Sequence, residues 1–262
     1  MLSQINIQDI INIAKEAGDA IMKIYERDFQ IEYKDDKSPL TEADIKSNEI
    51  ICSALVNLYP DIPLLSEENK KVPYSDRKAW EYFWLIDPID GTKEFIKKNG
   101  EFTVNIALIH KDIPVLGVVY APVLNDMYYA KKGEGAYKNR KRLPLKKNTE
   151  PEKQLSVVAS KSHLSIETQE FIDKLKLSTQ ELSLVSKGSS LKLCMVAEGI
   201  ADIYPRLAPT MEWDTAAAHA VVLGAGKEVL QYQENFLEAD SKPLPVVYNK
   251  ENLLNPWFVV RG

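Results

Sequence analysis

Two aspartates, Asp87 and Asp90, flank a proline in a short segment that follows the apolar run 82–86. Carboxylate oxygens suit Mg²⁺, which proteins usually hold through one or two carboxylates together with substrate phosphates. Gly91 allows a ligand close to the backbone, and a helix that begins at Thr92 would point its free N–H groups at the same place. The segment therefore predicts a metal ion and a phosphate group in one pocket. An ordinary turn is the alternative, because Asp, Pro and Gly are common turn residues.

Such a site needs more acidic residues, and two further segments supply them. Glu67 and Glu68 follow the apolar residues 63–65, and Asp214 stands before an alanine-rich stretch of high helix propensity. An aspartate at that point also suits the N-cap of a helix, which is the alternative to a role as a metal ligand.

Four segments resemble, in their order and spacing, the motifs of one family. They are Ser38-Pro39-Leu40-Thr41-Glu42-Ala43-Asp44, Glu67-Glu68, Asp87-Pro88-Ile89-Asp90-Gly91-Thr92 and Trp213-Asp214-Thr215-Ala216-Ala217. The family is the inositol monophosphatase superfamily of lithium-sensitive, Mg²⁺-dependent phosphatases, and the resemblance runs from about the first helix to the C-terminus. It implies an α/β (α+β) sugar-phosphatase fold with layers in the order α-β-α-β-α. Ala218 departs from the family pattern, which has glycine there, and this puts the fit of the substrate in question.

The resemblance also implies a ligand set for two Mg²⁺ ions. Glu67, Asp87 and the backbone carbonyl of Ile89 would hold one ion. Asp87, Asp90 and Asp214 would hold the second. A third, loosely held ion near Glu67 is compatible with the same motifs. Two ions about 3.5–4 Å apart stabilise both the attacking and the leaving oxygen of an in-line displacement.

The catalytic residues that the resemblance implies are Asp44, Thr92 and Glu67. A water molecule would attack the phosphorus without a phospho-enzyme. Thr92, hydrogen-bonded to Asp44, would relay the proton of this water, and Glu67 would assist. The N–H groups of Gly91 and Thr92 would cradle the phosphate that is cleaved.

Three segments favour a substrate with a second phosphate, and hence the branch of the superfamily that acts on 3′-phosphorylated nucleotides. Ser160-Lys161-Ser162-His163 resembles a stretch of the bisphosphate nucleotidases, Lys192 replaces a small apolar residue of inositol monophosphatases, and Arg206 adds another cation. Arg offers phosphate a planar fork and Lys a point charge. We expect a small-molecule nucleotide, adenosine 3′,5′-bisphosphate, as the substrate. The residues expected to bind it are Gly91, Thr92, His163, Ser189, Lys192, Arg206 and Asp214.

These substrate residues have ordinary explanations as well. His163 could pack at a turn between a strand and a helix, Lys192 could be a solvated helix residue, and Arg206 could pair with a surface carboxylate. Two other functions therefore stay open. One is a phosphatase of the same superfamily that acts on inositol or sugar phosphates, and the other is a non-catalytic nucleotide or metal sensor.

Hydrophobic periodicity divides the first half of the chain into helices and short strands. Helical spacing covers Ile7–Tyr25 and Thr41–Leu58, and the second helix starts with a capping pattern between Thr41 and Asp44. A helix that begins with the segment Thr92–Ile96 is the condition for the phosphate cradle. Strands are expected at Phe102–Ile109, Ile113–Tyr120, Met127–Ala130 and Ala136–Tyr137.

The second half alternates strands and helices, which indicates an α/β arrangement. The expected order is strand Leu155–Ala159, helix Ser165–Leu175, strand Leu182–Val185, helix Ser189–Ala197, strand Asp202–Tyr204 and helix Thr215–Leu223. We expect an N-terminal subdomain, residues 1–150, with most metal ligands, and a C-terminal one, residues 151–262, with Asp214 and the substrate contacts. The boundary would lie near Asn148–Lys153. The basic stretch Lys138–Lys147 before it is expected to be a solvated hairpin or linker, not an RNA-binding patch.

The composition is that of a folded globular protein: 262 residues, 45% hydrophobic and 27% charged, with a formal net charge of −5. The negative charge argues against a general nucleic-acid-binding surface. No run approaches the roughly 18 apolar residues of a membrane-spanning helix, and the N-terminal residues lack the pattern of a signal peptide. We expect a cytoplasmic protein, monomer or homodimer, with peripheral association with the inner membrane left open. Cys52 and Cys194 are expected to be buried free thiols.

Overall fold

A computed structural model describes residues 1–33, 39–145, 154–159, 164–179 and 181–262 of the protein. Three of the expectations fall outside these described residues. They are Ser38 of the first motif, the subdomain boundary near Asn148–Lys153, and the segment Ser160–His163. The division into two subdomains therefore stays a prediction.

The described residues form seven α-helices, preceded by a short 3₁₀ turn. The turn is Leu2–Gln4, and the helices are α1 (Ile7–Tyr25), α2 (Glu42–Leu58), α3 (Tyr74–Arg77), α4 (Thr92–Ile96), α5 (Ile166–Ser178), α6 (Leu191–Glu198) and α7 (Trp213–Gly224). The bounds of α1 agree with the prediction, and α4 begins at Thr92, as the predicted phosphate cradle requires. In α1 the apolar residues recur every three or four positions, so that Ile13, Ala17 and Ile21 are buried on one face. The structure starts α2 one residue later than predicted, because Thr41 is its N-cap.

Fourteen strands in the described residues form three sheets. They are β1 (Ile31–Tyr33), β2 (Pro39–Thr41), β3 (Leu64–Ser66), β4 (Tyr82–Asp90), β5 (Thr103–His110), β6 (Ile113–Ala121), β7 (Asp126–Lys131), β8 (Gly135–Lys138), β9 (Lys141–Arg142), β10 (Gln154–Ala159), β11 (Glu181–Ser186), β12 (Ile203–Arg206), β13 (Glu228–Gln231) and β14 (Phe258–Arg261). The larger sheet has the order β3-β4-β5-β6-β7-β8-β9 and is antiparallel except for β3 and β4. The smaller sheet has the order β11-β10-β12-β14-β13, and its first three strands are parallel. The remaining strands, β1 and β2, pair with each other.

Helices and sheets alternate in five layers. One face of the larger sheet packs against α1 and α2, α6 and α7 lie between the two sheets, and α5 covers the outer face of the smaller sheet. Successive side chains of a strand point to opposite faces, so Val158 of β10 joins the central core and Val157 joins the core under α5. The layers confirm the predicted α/β (α+β) fold in the order α-β-α-β-α.

The strand that carries the first two aspartates is longer than predicted. The apolar run 82–86 predicts a strand that ends at Asp87, but β4 continues to Asp90 with a bulge between the two aspartates. Pro88 lacks the N–H that a regular ladder requires, and bulges are one of the few places where a sheet accepts proline. Asp87 and Asp90 therefore both stand at the bulged end of β4.

Two expectations about charged residues are corrected by the structure. Asp214 is not a helix N-cap, since α7 begins at Trp213 with Glu212 as the N-cap and Asp214 lies in the first turn. Lys138, the first residue of the basic stretch, is not simply solvated. Its Nζ lies 3.1 Å from a carboxylate oxygen of the buried Glu198, because β8 packs where α6 ends.

Candidate metal and phosphate site

The bulged end of β4 is fixed by its own hydrogen bonds and by α2. Asp87 is 1% exposed, and its Oδ1 accepts a hydrogen bond from Ile89 N at 3.1 Å. The carbonyl oxygen of Pro88 accepts a hydrogen bond from Ser47 Oγ of α2 at 2.9 Å. A strand and a helix thus hold the turn in place without help from a ligand.

Three carboxylates from distant parts of the chain meet at this turn. Glu67, Asp87 and Asp214 each offer an oxygen atom within 4.8 Å of the other two. Glu67 follows β3 and stays beside β4 because its N donates a hydrogen bond to Ile86 O at 3.1 Å. Asp214 comes from the first turn of α7, where its Oδ2 accepts a hydrogen bond from Met211 N at 2.9 Å. An all-oxygen donor set of this kind suits a hard divalent cation such as Mg²⁺.

The electrostatics of the carboxylates also favour a cation. Burial raises the pKa of Asp87 well above its usual value, and the charges of Glu67 and Asp90 raise it further. Burial and the charge of Asp90 likewise raise the pKa of Asp214. Like charges repel strongly where water is excluded, and a divalent cation would relieve that repulsion. The residues present therefore fit Mg²⁺, while the number of ions and the individual ligands stay predictions.

Asp90 and the carbonyl of Ile89, two further predicted ligands, lie at the edge of the cluster. Within the described residues, Asp90 does not join the three-carboxylate group, and its Oδ2 accepts a short hydrogen bond from Ser190 N. Burial raises the pKa of Asp90 to about 6, against the opposing effects of Lys192 and of the Ser190 N–H group. The carbonyl oxygen of Ile89 lies 3.4 Å from Thr92 Oγ1. Both groups stay predicted ligands.

The hydroxyl of Thr92 lies beside the cluster and contacts Asp44. Thr92 Oγ1 donates a hydrogen bond to Asp44 Oδ1 at 3.2 Å, and Asp44 is 1% exposed. The two residues of the predicted proton relay are thus in direct contact. Their catalytic role, and the assisting role of Glu67, stay predictions.

Gly91 joins the end of β4 to α4 in a conformation that favours glycine. Its φ is +93°, in the left-handed region. A Cβ atom there would lie 3.3 Å from both Glu101 O and Ser189 Cβ. Glycine therefore allows the turn after β4 and the loop before α6 to approach each other closely, which suits the predicted phosphate cradle.

A cavity of about 150 Å³ is lined by the carboxylates of Asp90 and Asp214 and by the cationic side chains of Lys192 and Arg206. Lys192 is 6% exposed, its Nζ donates a hydrogen bond to Ser189 O at 2.6 Å, and burial lowers its pKa to about 8. Arg206 Nη2 donates a hydrogen bond to Pro209 O at 3.0 Å. Two cations in one cavity suit a ligand that carries anionic groups.

The structure brings most of the predicted substrate residues to this cavity. Gly91, Ser189, Lys192, Arg206 and Asp214 line it. The remaining two are Thr92, which follows Gly91 at the start of α4, and His163, which lies outside the described residues.

Sequence reasoning missed the residues that hold the loop before α6 against β4 and β5. The carboxylate of Glu101 accepts a hydrogen bond from Gly188 N at 2.8 Å. Ser190 Oγ lies 2.8 Å from Thr103 Oγ1 and 3.0 Å from Asn105 Oδ1. Thr103 and Asn105 are buried, and two polar residues at alternate positions of an apolar strand are the signal that could have indicated them.

Residues 3–256 match the Inositol monophosphatase family. The chain belongs to this family, whose enzymes use Mg²⁺, and the resemblance of the four motifs is confirmed. Among its relatives is the protein named 3′(2′),5′-bisphosphate nucleotidase CysQ of Salmonella typhimurium, 46% identical over 260 residues that cover 97% of this chain and 98% of the relative. The CysQ of Escherichia coli K12 is 45% identical over the same shares. This chain also resembles the crystal structure of CysQ from Bacteroides thetaiotaomicron, with 44% sequence identity and a TM-score of 0.84. The match covers 98% of this chain and 97% of that chain.

Three smaller expectations have different outcomes. Cys52 and Cys194 are free thiols, as predicted, but only Cys194 is buried, and Cys52 is partly exposed. Ala218, where the family pattern has glycine, is fully buried in α7 among the apolar residues between the sheets, and its effect on the substrate stays a prediction. No helix in the described residues is long and apolar enough to span a bilayer.

Proposed function

We propose that this protein is a Mg²⁺-dependent 3′(2′),5′-bisphosphate nucleotidase that hydrolyses the 3′-phosphate of adenosine 3′,5′-bisphosphate to AMP and phosphate. The sulfated precursor of this nucleotide is a second substrate for the same reaction, which serves sulfur assimilation and nucleotide recycling. The names of the CysQ relatives support the nucleotide as substrate, because the identity of 45–46% extends over 97% of the chain.

The observation that carries the proposal is one cavity lined by both carboxylates and cations. Asp90 and Asp214 supply the carboxylates, and Lys192 and Arg206 supply the cations. A phosphate monoester with one phosphate needs only the metal ligands. The two cations have the chemistry to hold a second phosphate, which inositol monophosphate lacks.

We propose two Mg²⁺ ions, one held by Glu67, Asp87 and the carbonyl of Ile89, the other by Asp87, Asp90 and Asp214. A third ion near Glu67 would be held more weakly. When bound, Mg²⁺ neutralises the charge that develops on the phosphoryl oxygens during transfer. The close approach of three of these carboxylates supports the assignment.

Side chains of the turn after β4 would handle the proton. Thr92 Oγ1 accepts a proton from the attacking water as it passes its own to Asp44 Oδ1, with Glu67 assisting. The water oxygen bonds to phosphorus, and the bond from phosphorus to ribose O3′ breaks. O3′ takes up a proton from solvent, and Asp44 releases the proton it received to solvent. The N–H groups of Gly91 and Thr92 hold the cleaved phosphate. The groups that hold the 5′-phosphate and the nucleoside belong to His163, Ser189, Lys192 and Arg206.

The same proposal includes the organisation and location of the chain. Residues 1–150 and 151–262 would form two subdomains, a division supported by the larger sheet ending at Arg142 and the smaller one beginning at Gln154. The protein would act in the cytoplasm as a monomer or homodimer, with peripheral contact with the inner membrane left to experiment.

Phosphate release from three substrates tests the function directly. Adenosine 3′,5′-bisphosphate, inositol monophosphate and fructose bisphosphate are compared side by side with the full chain, in Mg²⁺, in chelator, and in Mg²⁺ with added Li⁺. We expect rapid release from the nucleotide, much slower release from the other two, and loss of activity with chelator or Li⁺.

Two other outcomes would replace the proposal. Faster release from the inositol or sugar phosphate would assign the protein to another phosphatase activity of the family. No release from any substrate, together with nucleotide or metal binding by calorimetry, would indicate a non-catalytic sensor.

A further inference from the structure

The segment that brings Asp214 to the carboxylate cluster is held by residues 248–255, here called the C-terminal strap. Glu212, two residues before Asp214, is fully buried. Its carboxylate accepts hydrogen bonds from Asn249 N at 2.7 Å, from Lys250 N at 3.0 Å and from Lys250 Nζ at 2.6 Å. A buried carboxylate is stable only when it is paired and hydrogen-bonded, and the strap supplies all three of these donors.

The far end of the strap holds the same segment through Asn255. Asn255 N donates a hydrogen bond to Thr210 O at 2.8 Å. Its side-chain Nδ2 donates to Met211 O at 2.7 Å and to Thr215 Oγ1 at 3.1 Å. The residues on both sides of Asp214 are therefore attached to the strap by backbone as well as side-chain bonds.

The strap also contacts the part of the chain that follows Glu67. Arg77 of α3 is 2% exposed, and it donates hydrogen bonds to Asn249 Oδ1 and to Glu251 O, both at 2.9 Å. Asn249 Nδ2 donates to Arg77 O at 2.9 Å in return. Glu67, Arg77, Asp214 and Glu251 line one cavity of about 760 Å³. The strap thus bridges the two chain segments that carry Glu67 and Asp214.

We propose that the strap, through the Glu212–Lys250 ion pair and the Arg77–Asn249 bonds, is a positioning element that sets the separation of Glu67 and Asp214 for metal binding. This inference rests on the metal ligation proposed above. The carboxylates of the cluster repel each other when no cation is bound, so the segments that carry them need an attachment that does not depend on the cation. Residues behind metal ligands commonly act in this way, and their loss weakens metal affinity by about 10- to 100-fold.

Mn²⁺ binding to the metal-free full chain, measured by titration calorimetry, tests the role of the strap. Lys250→Met keeps the apolar stem and removes the charge that pairs with Glu212. We expect its dissociation constant for Mn²⁺ to rise roughly tenfold or more. Lys250→Arg keeps a cation within reach of Glu212 and is expected to recover most of the affinity.

The chain offers a control in Lys138, which pairs with the buried Glu198 and also with Asp126, whose carboxylate lies 2.9 Å from Lys138 Nζ. The Glu198 side chain is 3% exposed and that of Lys138 20%, against 0% for Glu212 and 26% for Lys250. Lys138→Met is expected to lower the melting temperature at least as much as Lys250→Met does, because it leaves two carboxylates without this cation, and to leave Mn²⁺ affinity unchanged. Unchanged affinity in Lys250→Met, or an equal loss in Lys138→Met, would overturn the inference.

Two further variants keep the test decisive. If Lys250→Met does not fold, Asn249→Gly is used in its place. This variant removes the side-chain bonds to Arg77, and glycine tolerates the φ of +61° at this position. Unchanged Mn²⁺ affinity of Asn249→Gly would also overturn the inference. Asp214→Asn tests the ligand itself. If Asp214→Asn binds Mn²⁺ as the unchanged protein does, the proposed metal site is wrong, and if it alone weakens binding, only the role of the strap is wrong.

Discussion

The carboxylate of Asp44 is shared between a helix cap and the hydroxyl of Thr92. Asp44 Oδ2 accepts hydrogen bonds from Thr41 N at 2.7 Å and from Thr41 Oγ1 at 2.6 Å, while Asp44 Oδ1 accepts the hydrogen bond from Thr92 Oγ1 at 3.2 Å. The bond from Thr41 N belongs to the capping box of α2, and the bond from Thr41 Oγ1 is an additional one to the same oxygen. Together they fix the orientation of the carboxylate. The third bond orients the Thr92 hydroxyl beside the acidic cluster, so one side chain both stabilises a helix and positions the hydroxyl that the proposed proton relay requires.

Removal of the Thr92 hydroxyl should abolish most of the turnover without unfolding the protein. Thr92→Val keeps the shape of the side chain and loses the group that would relay the proton, and general acid–base groups typically contribute about 10²–10⁴-fold to the rate. Thr92→Ser keeps the hydroxyl and should retain most activity. The measurement is kcat for phosphate release from adenosine 3′,5′-bisphosphate in saturating Mg²⁺, with the melting temperature as a check on folding. A Thr92→Val protein with normal kcat would exclude the relay.

Lys192→Ala should reduce activity on bisphosphate nucleotides more than on simple phosphate monoesters. Lys192 is buried and lines the cavity proposed to hold the substrate. A hydrogen bond to a charged group contributes about 1.5–3 kcal/mol, which corresponds to a rise in KM of about 10- to 100-fold for the nucleotide. The same preparation assayed on a simple monoester serves as the control. Equal losses on both substrates would count against a role in binding the second phosphate.

Local chemistry explains why the sequence alone predicted many elements. The apolar spacing of α1 and the capping pattern of Thr41 with Asp44 act within a few residues, so their structural outcome follows from neighbouring residues. The same holds for Gly91, because the turn after β4 requires a left-handed backbone there. The resemblance of the motifs added the layered order of the fold, which no local pattern contains.

What the sequence did not reveal depends on contacts between distant segments. One example is the smaller sheet, where β14 pairs with β12 and β13, which lie far away in the chain. Another is the strap, where Leu254 forms an isolated bridge with Met211. Lys138 was expected in solvent, because a run of basic residues gives no sign that Glu198, sixty positions away, needs a partner. Glu212 directly precedes the Trp213–Ala217 motif, and nothing in the sequence indicates its partner. In the fold, Lys250 Nζ lies 2.6 Å from the Glu212 carboxylate.

Asp90→Asn should change both activity and the pH dependence of stability. Because the folded-state pKa of Asp90 is raised from 3.8 to about 6, the folded protein holds more protons than the unfolded chain between these values. In chelator, protonated Asp90 therefore contributes to the free energy of unfolding below about pH 4. This contribution is lost as the pH rises through about 6, by up to about 1.4 kcal/mol per pH unit. At neutral pH in chelator the variant should melt at a higher temperature than the unchanged protein.

In Mg²⁺ the Asp90→Asn variant should melt at a lower temperature than the unchanged protein, the reverse of the order in chelator. A cation that binds only the folded state stabilises it, and the variant lacks one proposed ligand of that cation. Turnover should fall to a small fraction of normal. The measurement is the melting temperature between about pH 4 and 7, in chelator and in Mg²⁺, with phosphate release alongside. An Asp90→Asn protein that keeps normal turnover and the full Mg²⁺-induced rise in melting temperature would contradict the ligand assignment.

His219 should give the opposite pH dependence. It is 2% exposed in α7, its Nδ1 lies 2.8 Å from Tyr248 Oη, and burial lowers its pKa from 6.5 to about 3. Between these values the unfolded chain holds a proton that the folded protein excludes, so the free energy of unfolding falls as the pH drops from about 6.5, by up to about 1.4 kcal/mol per pH unit. His219→Gln keeps a polar partner for Tyr248 and removes the titration.

Urea unfolding in chelator measures this effect of His219, because the contributions of the aspartates are common to both proteins and cancel in the difference. We expect the difference in free energy of unfolding between His219→Gln and the unchanged protein to be constant between about pH 7 and 8 and to shift in favour of the variant towards pH 5. A difference that stays constant down to pH 5 would mean that the folded protein accommodates the protonated imidazole of His219. The helical layer between the two sheets would then tolerate a charge there, despite the burial of His219.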